Sequence, residues 1–121
     1  MSISVEDDLD QLTRSIESRD TAALLTRYRE DAEICVVDSD TSLPPRVVVG
    51  RDEIREWFEQ LGWSAMKHQV VKVDSGSGQL SWTDHCRTAS GLNFVYQSAA
   101  ELSGGLIRRQ RVTVVWEDRR Y

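Results

Sequence analysis

From Met66 to Trp116 the chain changes to an alternation of period two, and no other feature limits the possible folds as much. Four candidate strands follow one another: Met66 to Asp74, Gln79 to Thr88, Leu92 to Leu102 and Leu106 to Trp116. Between them stand Ser-Gly-Ser-Gly at 75–78, Ala-Ser-Gly at 89–91 and Ser-Gly-Gly at 103–105. Connections this short, with glycine available for turn conformations, close hairpins and leave no length for a crossover. The second half is therefore predicted to be an antiparallel meander.

The first half carries the helices. Val5, Leu9, Leu12 and Ile16 recur at helical spacing, with Ser4 and Asp7 in a capping arrangement at the start. Asp20 can cap a second short helix bearing Ala23, Leu24 and Tyr28 before the acidic exit at Glu30 and Asp31. Ala32 to Asp38 reads as a strand, ended by the polar run from Asp38 and by Pro44-Pro45. Val47 to Val49 form another, stopped by Gly50. Asp52 then opens a helix whose face is Ile54, Trp57, Phe58 and Leu61 before Gly62 ends it. Helices followed by a meander predict an α+β fold: a curved antiparallel sheet with the N-terminal helices packed on one face, leaving a cone-shaped hollow.

A chain of 121 residues suits one domain, taken as 1–121, since two cores of half that size would each be marginal. Hydrophobic content of 40% and charged content of 29% are ordinary for a folded chain. The net charge is −5 and the basic residues are scattered apart from Arg108, Arg109 and Arg111, so nucleic acid is not an expected partner. Met1 to Asp8 is acidic where a leader would be basic and apolar, and no long apolar run exists; a cytoplasmic protein with no membrane contact is expected. Cys35 and Cys86 sit in apolar strand-like sequence and are expected to be buried free thiols. The two histidines and two cysteines show no metal-ligand spacing, and no glycine-rich loop precedes a helix, so neither metal nor cofactor is expected.

Three segments, "YREDAEI" from Tyr28, "VVVGRDEIREWF" from Val47 and "ELSGGLIRR" from Glu101, together with the element order, resemble the nuclear transport factor 2-like superfamily and its SnoaL-like families. The resemblance covers nearly the whole chain and implies the cone-shaped roll. Its motifs specify a scaffold that hosts isomerases, cyclases, epoxide hydrolases, ligand binders and interaction modules. The ketosteroid isomerases of this fold use an Asp base with Tyr and Asp oxyanion donors; those positions fall on Val36, Leu12 and near Ser98. Of the Asp-Arg-Asp set of limonene epoxide hydrolases only Asp84 has a counterpart, the others falling on Trp82 and Val112. Neither set is complete.

Strand alternation selects the residues that reach the hollow. Leu80, Trp82, Asp84 and Cys86 share a face opposite the wetter Ser81, Thr83, His85 and Arg87. Asp84 is thus a carboxylate among apolar neighbours, costly to bury unless paired or protonated; it serves either a proton-transfer site or a structural network. His68 alternates with Met66 and Val70 one strand away and can pair with Asp84 as acid and base, or be a satisfied core residue. Cys86 becomes a nucleophile only if His68 activates it. Phe94, Tyr96 and Ser98 face inward on the next strand, as do Gln110 and Val112 on the last, with Arg108 at the rim. Trp57 and Trp82 belong to the core or to the ligand wall. On the sheet's other face Val71, Val73, Val95, Ala99 and Val115 form an apolar set that a homodimer through the sheets would cover.

The leading expectation is a domain that binds a small, largely apolar or amphipathic molecule, with Asp84, His68, Tyr96 and Gln110 as polar contacts. Ligand contacts would also come from Trp57, Trp82, Cys86, Phe94, Ser98 and Val112. The alternatives are a small isomerase, cyclase or hydrolase using Asp84 with His68, and a non-catalytic interaction module whose cone is filled by Trp57, Trp82, Phe94 and Trp116.

Overall fold

The computed structural model describes residues 5–39 and 44–116. The elements are α1 (Val5–Glu17), α2 (Thr21–Leu25), β1 (Tyr28–Asp38), β2 (Arg46–Val49), α3 (Arg51–Leu61), a 3₁₀ turn (Trp63–Ala65), β3 (Lys67–Gly76), β4 (Gln79–Arg87), β5 (Asn93–Ser103) and β6 (Leu106–Trp116). The predicted cap at Ser4 and the loop residues 40–43 lie outside the described residues.

The four meander strands stand where the alternation places them, each boundary within two residues of the expectation. They make one six-stranded sheet with β1 and β2, in the order β2-β1-β6-β5-β4-β3. All neighbours are antiparallel except β1 and β6, which run parallel. A parallel pair needs a long connection, and here everything from β2 to β5 supplies it. The fold is the expected α+β cone, with a mixed rather than wholly antiparallel sheet.

The second helix is shorter than its apolar pattern suggests. Asp20 caps it, its Oδ1 accepting from the Ala23 N–H at 3.1 Å, but helical structure stops at Leu25. Five residues cannot sustain a helix alone, and the sheet takes over. The Ile107 N–H donates to the Arg27 carbonyl at 2.8 Å, and Tyr28 pairs with Ile107, so Tyr28, Glu30 and Asp31 belong to β1. Arg51 then clamps the junction, its guanidinium donating twice to the Tyr28 carbonyl, at 2.9 and 2.6 Å.

α3 is bounded as the sequence predicts. Gly50 enters it at φ 86° and Gly62 leaves it at φ 66°, backbone settings that side chains disfavour, and the Gly62 N–H bonds back to Glu59 and Phe58. Ile54, Trp57 and Phe58 are buried against the sheet. Leu12 and Ile16 of α1 and Leu24 of α2 complete the same core.

Bulges bend the sheet and change which residues face inward. Between Val70 and Lys72 the β3–β4 register shifts, leaving Val71 unpaired and 50% exposed. Beyond it Val73 stands opposite Trp82 and packs on the core. Strict alternation put Val73 on the outer face beside Val71; the extra residue reverses it. The Val70 amide at this bulge is satisfied by the Glu17 carboxylate at 3.0 Å. A second shift, between Glu101 and Leu102, leaves Arg108 and Arg109 consecutively exposed on β6 and turns Ile107 inward. Cys35, expected to be buried, is half-buried, because β1 directs it to the helix-free side beside Val47 and Arg111. Among the described residues no helix is long and apolar enough to cross a membrane.

Ile54 has no exposure and anchors α3. Ile54→Ala is expected to lower unfolding stability by about 3 kcal/mol, while Glu56→Ala on the exposed face changes it by less than about 0.5 kcal/mol. Urea denaturation of the two variants checks this.

Candidate functional site

β4 turns Trp82, Asp84 and Cys86 toward the helices, and all three are buried, Asp84 at 2% exposure. Register supplies their neighbours. His68 of β3 stands opposite Cys86, Tyr96 of β5 opposite Asp84, and Ser98 opposite Trp82; Val112 of β6 then lies beside Ser98 and Gln110 beside Ala100. Every polar residue singled out from the sequence on this face is buried: His68, Asp84, Ser98, Gln110 and Tyr96.

His68 and Asp84 form a direct pair, Nδ1 to Oδ2 at 2.7 Å, with both side chains almost wholly excluded from solvent. The other ring nitrogen, Nε2, lies 2.8 Å from the Trp63 carbonyl. A carbonyl only accepts, so Nε2 carries a proton. The short Nδ1–Oδ2 contact then also holds one proton, shared between a nitrogen and an oxygen that would otherwise repel. In either arrangement, imidazolium with carboxylate or imidazole with carboxylic acid, the pair has no net charge, which is what a dry site tolerates. Trp63 completes the support, its ring centroid 4.3 Å from that of His68.

Cys86 adds a third group. Its Sγ is 3.3 Å from Asp84 Oδ2 and 3.5 Å from His68 Nδ1. Burial first, and the Asp84 carboxylate second, push its thiol far above the ordinary range. Cys86 is therefore a neutral thiol donating to Asp84, and the activated nucleophile considered from sequence has no support. These contacts occupy Oδ2 alone. Asp84 Oδ1 is buried without a hydrogen-bond partner among the described residues. Asp84 forms part of the wall of an internal void of about 30 Å³, with Tyr28, Trp57, Trp82, Tyr96 and Gln110.

Gln110 and Ser98 are engaged with each other. Tyr28 donates its hydroxyl to Gln110 Oε1, and Gln110 Nε2 donates to Ser98 Oγ at 3.1 Å. Burial raises the Tyr28 hydroxyl well above its usual value, and the same cause acts on Tyr96, with lesser contributions from Cys86 and Asp84. Phe94 packs edge-on against Tyr96 at 4.9 Å, and Trp57 lies 6.4 Å from Tyr96. Trp57, Phe58 and Trp63 form a continuous aromatic wall, with centroids 5.2 and 5.3 Å apart.

Two members of this arrangement escaped the sequence reading. The apolar spacing from Ala23 places Tyr28 on a helix, whereas the structure puts it inward in β1. Trp63 contributes through its carbonyl, and only the abrupt end of α3 at Gly62 hinted that the next residues turn back toward β3. A larger hollow, about 570 Å³, lies on the helix-free side and is lined by residues that include Glu33, Cys35, Glu101, Arg109 and Arg111. Arg109 and Glu33 face each other there at 3.7 Å, both well exposed. Size favours that hollow, but among the described residues the buried ionisable groups Tyr28, Asp84 and Tyr96 line the inner void, with His68 and Cys86 in contact with Asp84, and buried groups of this kind are the ones whose chemistry a protein alters.

Alkaline stability tests the buried network. Tyr28, Tyr96 and Cys86 stay protonated in the fold, whereas an unfolded chain ionises tyrosine near 10.0 and cysteine near 9.0. The unfolded state thus binds fewer protons at high pH, and stability declines as pH rises past those values, by up to about 1.4 kcal/mol per pH unit for each group. Tyr28→Phe is expected to make that decline shallower when denaturant midpoints are compared between pH 8 and 11. An unchanged slope would show that Tyr28 ionises freely in the fold.

No protein-family model matches the sequence, and no curated protein matches it. Solved structures do. An NTF-2 like protein of unknown function from Burkholderia xenovorans is 11% identical with a TM-score of 0.77, over 96% of this chain and 86% of that one. A Kribbella flavida protein provisionally named a ketosteroid isomerase is 12% identical with a TM-score of 0.69, over 93% and 77%. A protein from Sinorhizobium meliloti provisionally named a polyketide cyclase is 16% identical with a TM-score of 0.61, over 88% and 93%. Identity this low speaks to architecture alone. Together with the helix order and the curved sheet, these likenesses establish that the chain has the nuclear transport factor 2-like fold.

Proposed function

We propose that this protein binds a compact, largely apolar molecule inside the cone, through a hydrogen-bond donor on that molecule directed at Asp84 Oδ1. The observation that carries the reading is the division of labour at one carboxylate: His68 and Cys86 hold Oδ2, while Oδ1 is buried with no partner among the described residues, on a side chain that lines a void. An orphaned buried acceptor costs roughly 1–3 kcal/mol, and such costs persist where a guest relieves them. Trp57, Trp82, Tyr96 and Val112 line the void and supply apolar surface for the rest of the molecule, with Phe94 packed behind Tyr96. Ser98 and Gln110 already satisfy each other and serve as a fixed polar wall. The void of about 30 Å³ takes a guest the size of water, so a larger one requires the wall of Trp57, Phe58 and Trp63 to move outward.

The neutral His68–Asp84 pair could also hand a proton to a bound substrate, which would make the protein a small isomerase, cyclase or hydrolase. A different reading, a non-catalytic interaction module with a filled interior, is favoured by the small void and the packed rings.

One experiment separates the three. Purified protein is titrated with a panel of alcohols, ketones, lactones and epoxides while tryptophan fluorescence and turnover are followed. The proposal expects saturable quenching by at least one donor-bearing compound, and about 10- to 100-fold weaker binding in Asp84→Asn, which presents an amide in place of the carboxylate. Turnover that disappears in the same variant would make the site catalytic. Absence of uptake across the panel leaves the filled module.

A further inference from the structure

The cluster at the base of the cone has a property that the guest-binding reading does not use. His68 Nδ1, one carboxylate oxygen of Asp84 and Cys86 Sγ lie within 4.8 Å of one another, all three residues buried. Strand alternation brings these three residues to one face, but their spacing, Asp-x-Cys on one strand with the histidine alongside through the β3–β4 register, has no metal-ligand signature.

We propose that His68, Asp84 and Cys86 form a binding site for a divalent transition metal of zinc type. The proposal goes beyond the guest-binding reading and does not rest on it. Zinc bonds of about 2.0–2.1 Å to nitrogen and oxygen and about 2.3 Å to sulfur give ligand-to-ligand edges of roughly 3.3–3.7 Å in a tetrahedral site. The sulfur already stands 3.5 Å from the nitrogen and 3.3 Å from the oxygen. Only the 2.7 Å nitrogen–oxygen edge must open.

Three further features suit a metal. The Trp63 carbonyl holds the proton on Nε2, so once the shared proton leaves, the Nδ1 lone pair points at the cluster, the arrangement that outer partners impose on metal-bound histidines. Asp84 Oδ1, buried and without a partner among the described residues, is a further oxygen donor on the same carboxylate. A void of about 30 Å³ borders Asp84, so the carboxylate has space beside it in which to swing as the ion enters. Nitrogen, oxygen and thiolate sulfur together favour zinc, or cobalt as its substitute, over magnesium or calcium.

Charge and protons balance. Binding replaces the proton shared by His68 and Asp84 and the proton of the Cys86 thiol, so two protons are released for each divalent ion bound. Neutral imidazole, carboxylate and thiolate then carry two negative charges against the ion's two positive ones, and the core keeps no net charge.

The test uses the full chain, stripped with a chelator and titrated with cobalt(II) and then zinc(II). The expected result is one cobalt per chain with a thiolate-to-cobalt charge-transfer band, displaced by zinc, with a higher melting temperature in zinc than in chelator. Cys86→Ser should abolish the band and weaken zinc by more than about 100-fold, beyond what loss of an outer partner produces; Cys35→Ser should leave both unchanged. Asp84→Asn should weaken cobalt without removing the thiolate band, which keeps the assignment readable if Cys86→Ser fails to fold. No band and no thermal shift at saturating metal would overturn the proposal, as would a band that follows Cys35. Running the organic panel on chelator-stripped protein keeps the two readings separate, because guest uptake there needs no metal.

Discussion

One carboxylate held out of water sets the terms for the interior of this protein. Placing an ionised acid in a core of aromatic rings costs several kcal/mol unless its charge and lone pairs are met. Among the described residues Asp84 is met on one side only, by the imidazole of His68 at 2.7 Å and the thiol of Cys86 at 3.3 Å. That requirement fixes much else. His68 must reach across from β3, so β3 must pair with β4 in a register that sets His68 opposite Cys86. The ring must be held at its far nitrogen, so the chain after α3 must turn at Gly62 and present the Trp63 carbonyl. Removing one partner of such a pair is far more damaging than the pair is stabilising, since an uncompensated charge then stays buried.

The rest of the core is organised to exclude water from this cluster. Trp63 stacks on His68 and is backed by Phe58 and Trp57 of α3, and β5 sets Tyr96 opposite Asp84 and Phe94 opposite Cys86. A second polar string, Tyr28 to Gln110 to Ser98, crosses the same interior and satisfies itself. The two groups differ in a way that bears on function. The string closes on itself and specifies a unique packing, whereas the acid cluster ends in an oxygen that no described donor meets. Low-identity likeness to isomerase-like and cyclase-like structures says that the scaffold is shared; what the chemistry is must come from this asymmetry.

Much of this was legible in the sequence, and the parts that were not have physical reasons. Period-two alternation located four strands, and alternation within β4 correctly separated Trp82, Asp84 and Cys86 from Ser81, Thr83 and His85. Alternation also put His68 on the same side as Asp84, because no bulge intervenes between His68 and Val70. It failed one residue later. The extra residue at Val71 moved Val73 from the outer face to the core, and a bulge leaves no mark in residue type. Tyr28 was misplaced because a short helix and a strand start compete for it, and the contest is decided by Ile107 and Arg51, remote in sequence. The closeness of Cys86 to His68 depends on register as well, so a metal-ligand set of this kind cannot be read from spacing along one strand.

The surroundings of Asp84 Oδ1 decide what the cone can hold. A high-resolution crystal structure of the protein measures them directly. It should show the carboxylate enclosed, Oδ2 bonded to His68, and ordered density within about 2.6–3.2 Å of Oδ1, from water, an ion or a guest, on the cone side. A carboxylate turned out to bulk solvent, or an Oδ1 bonded to a protein donor in a void-free core, would contradict it.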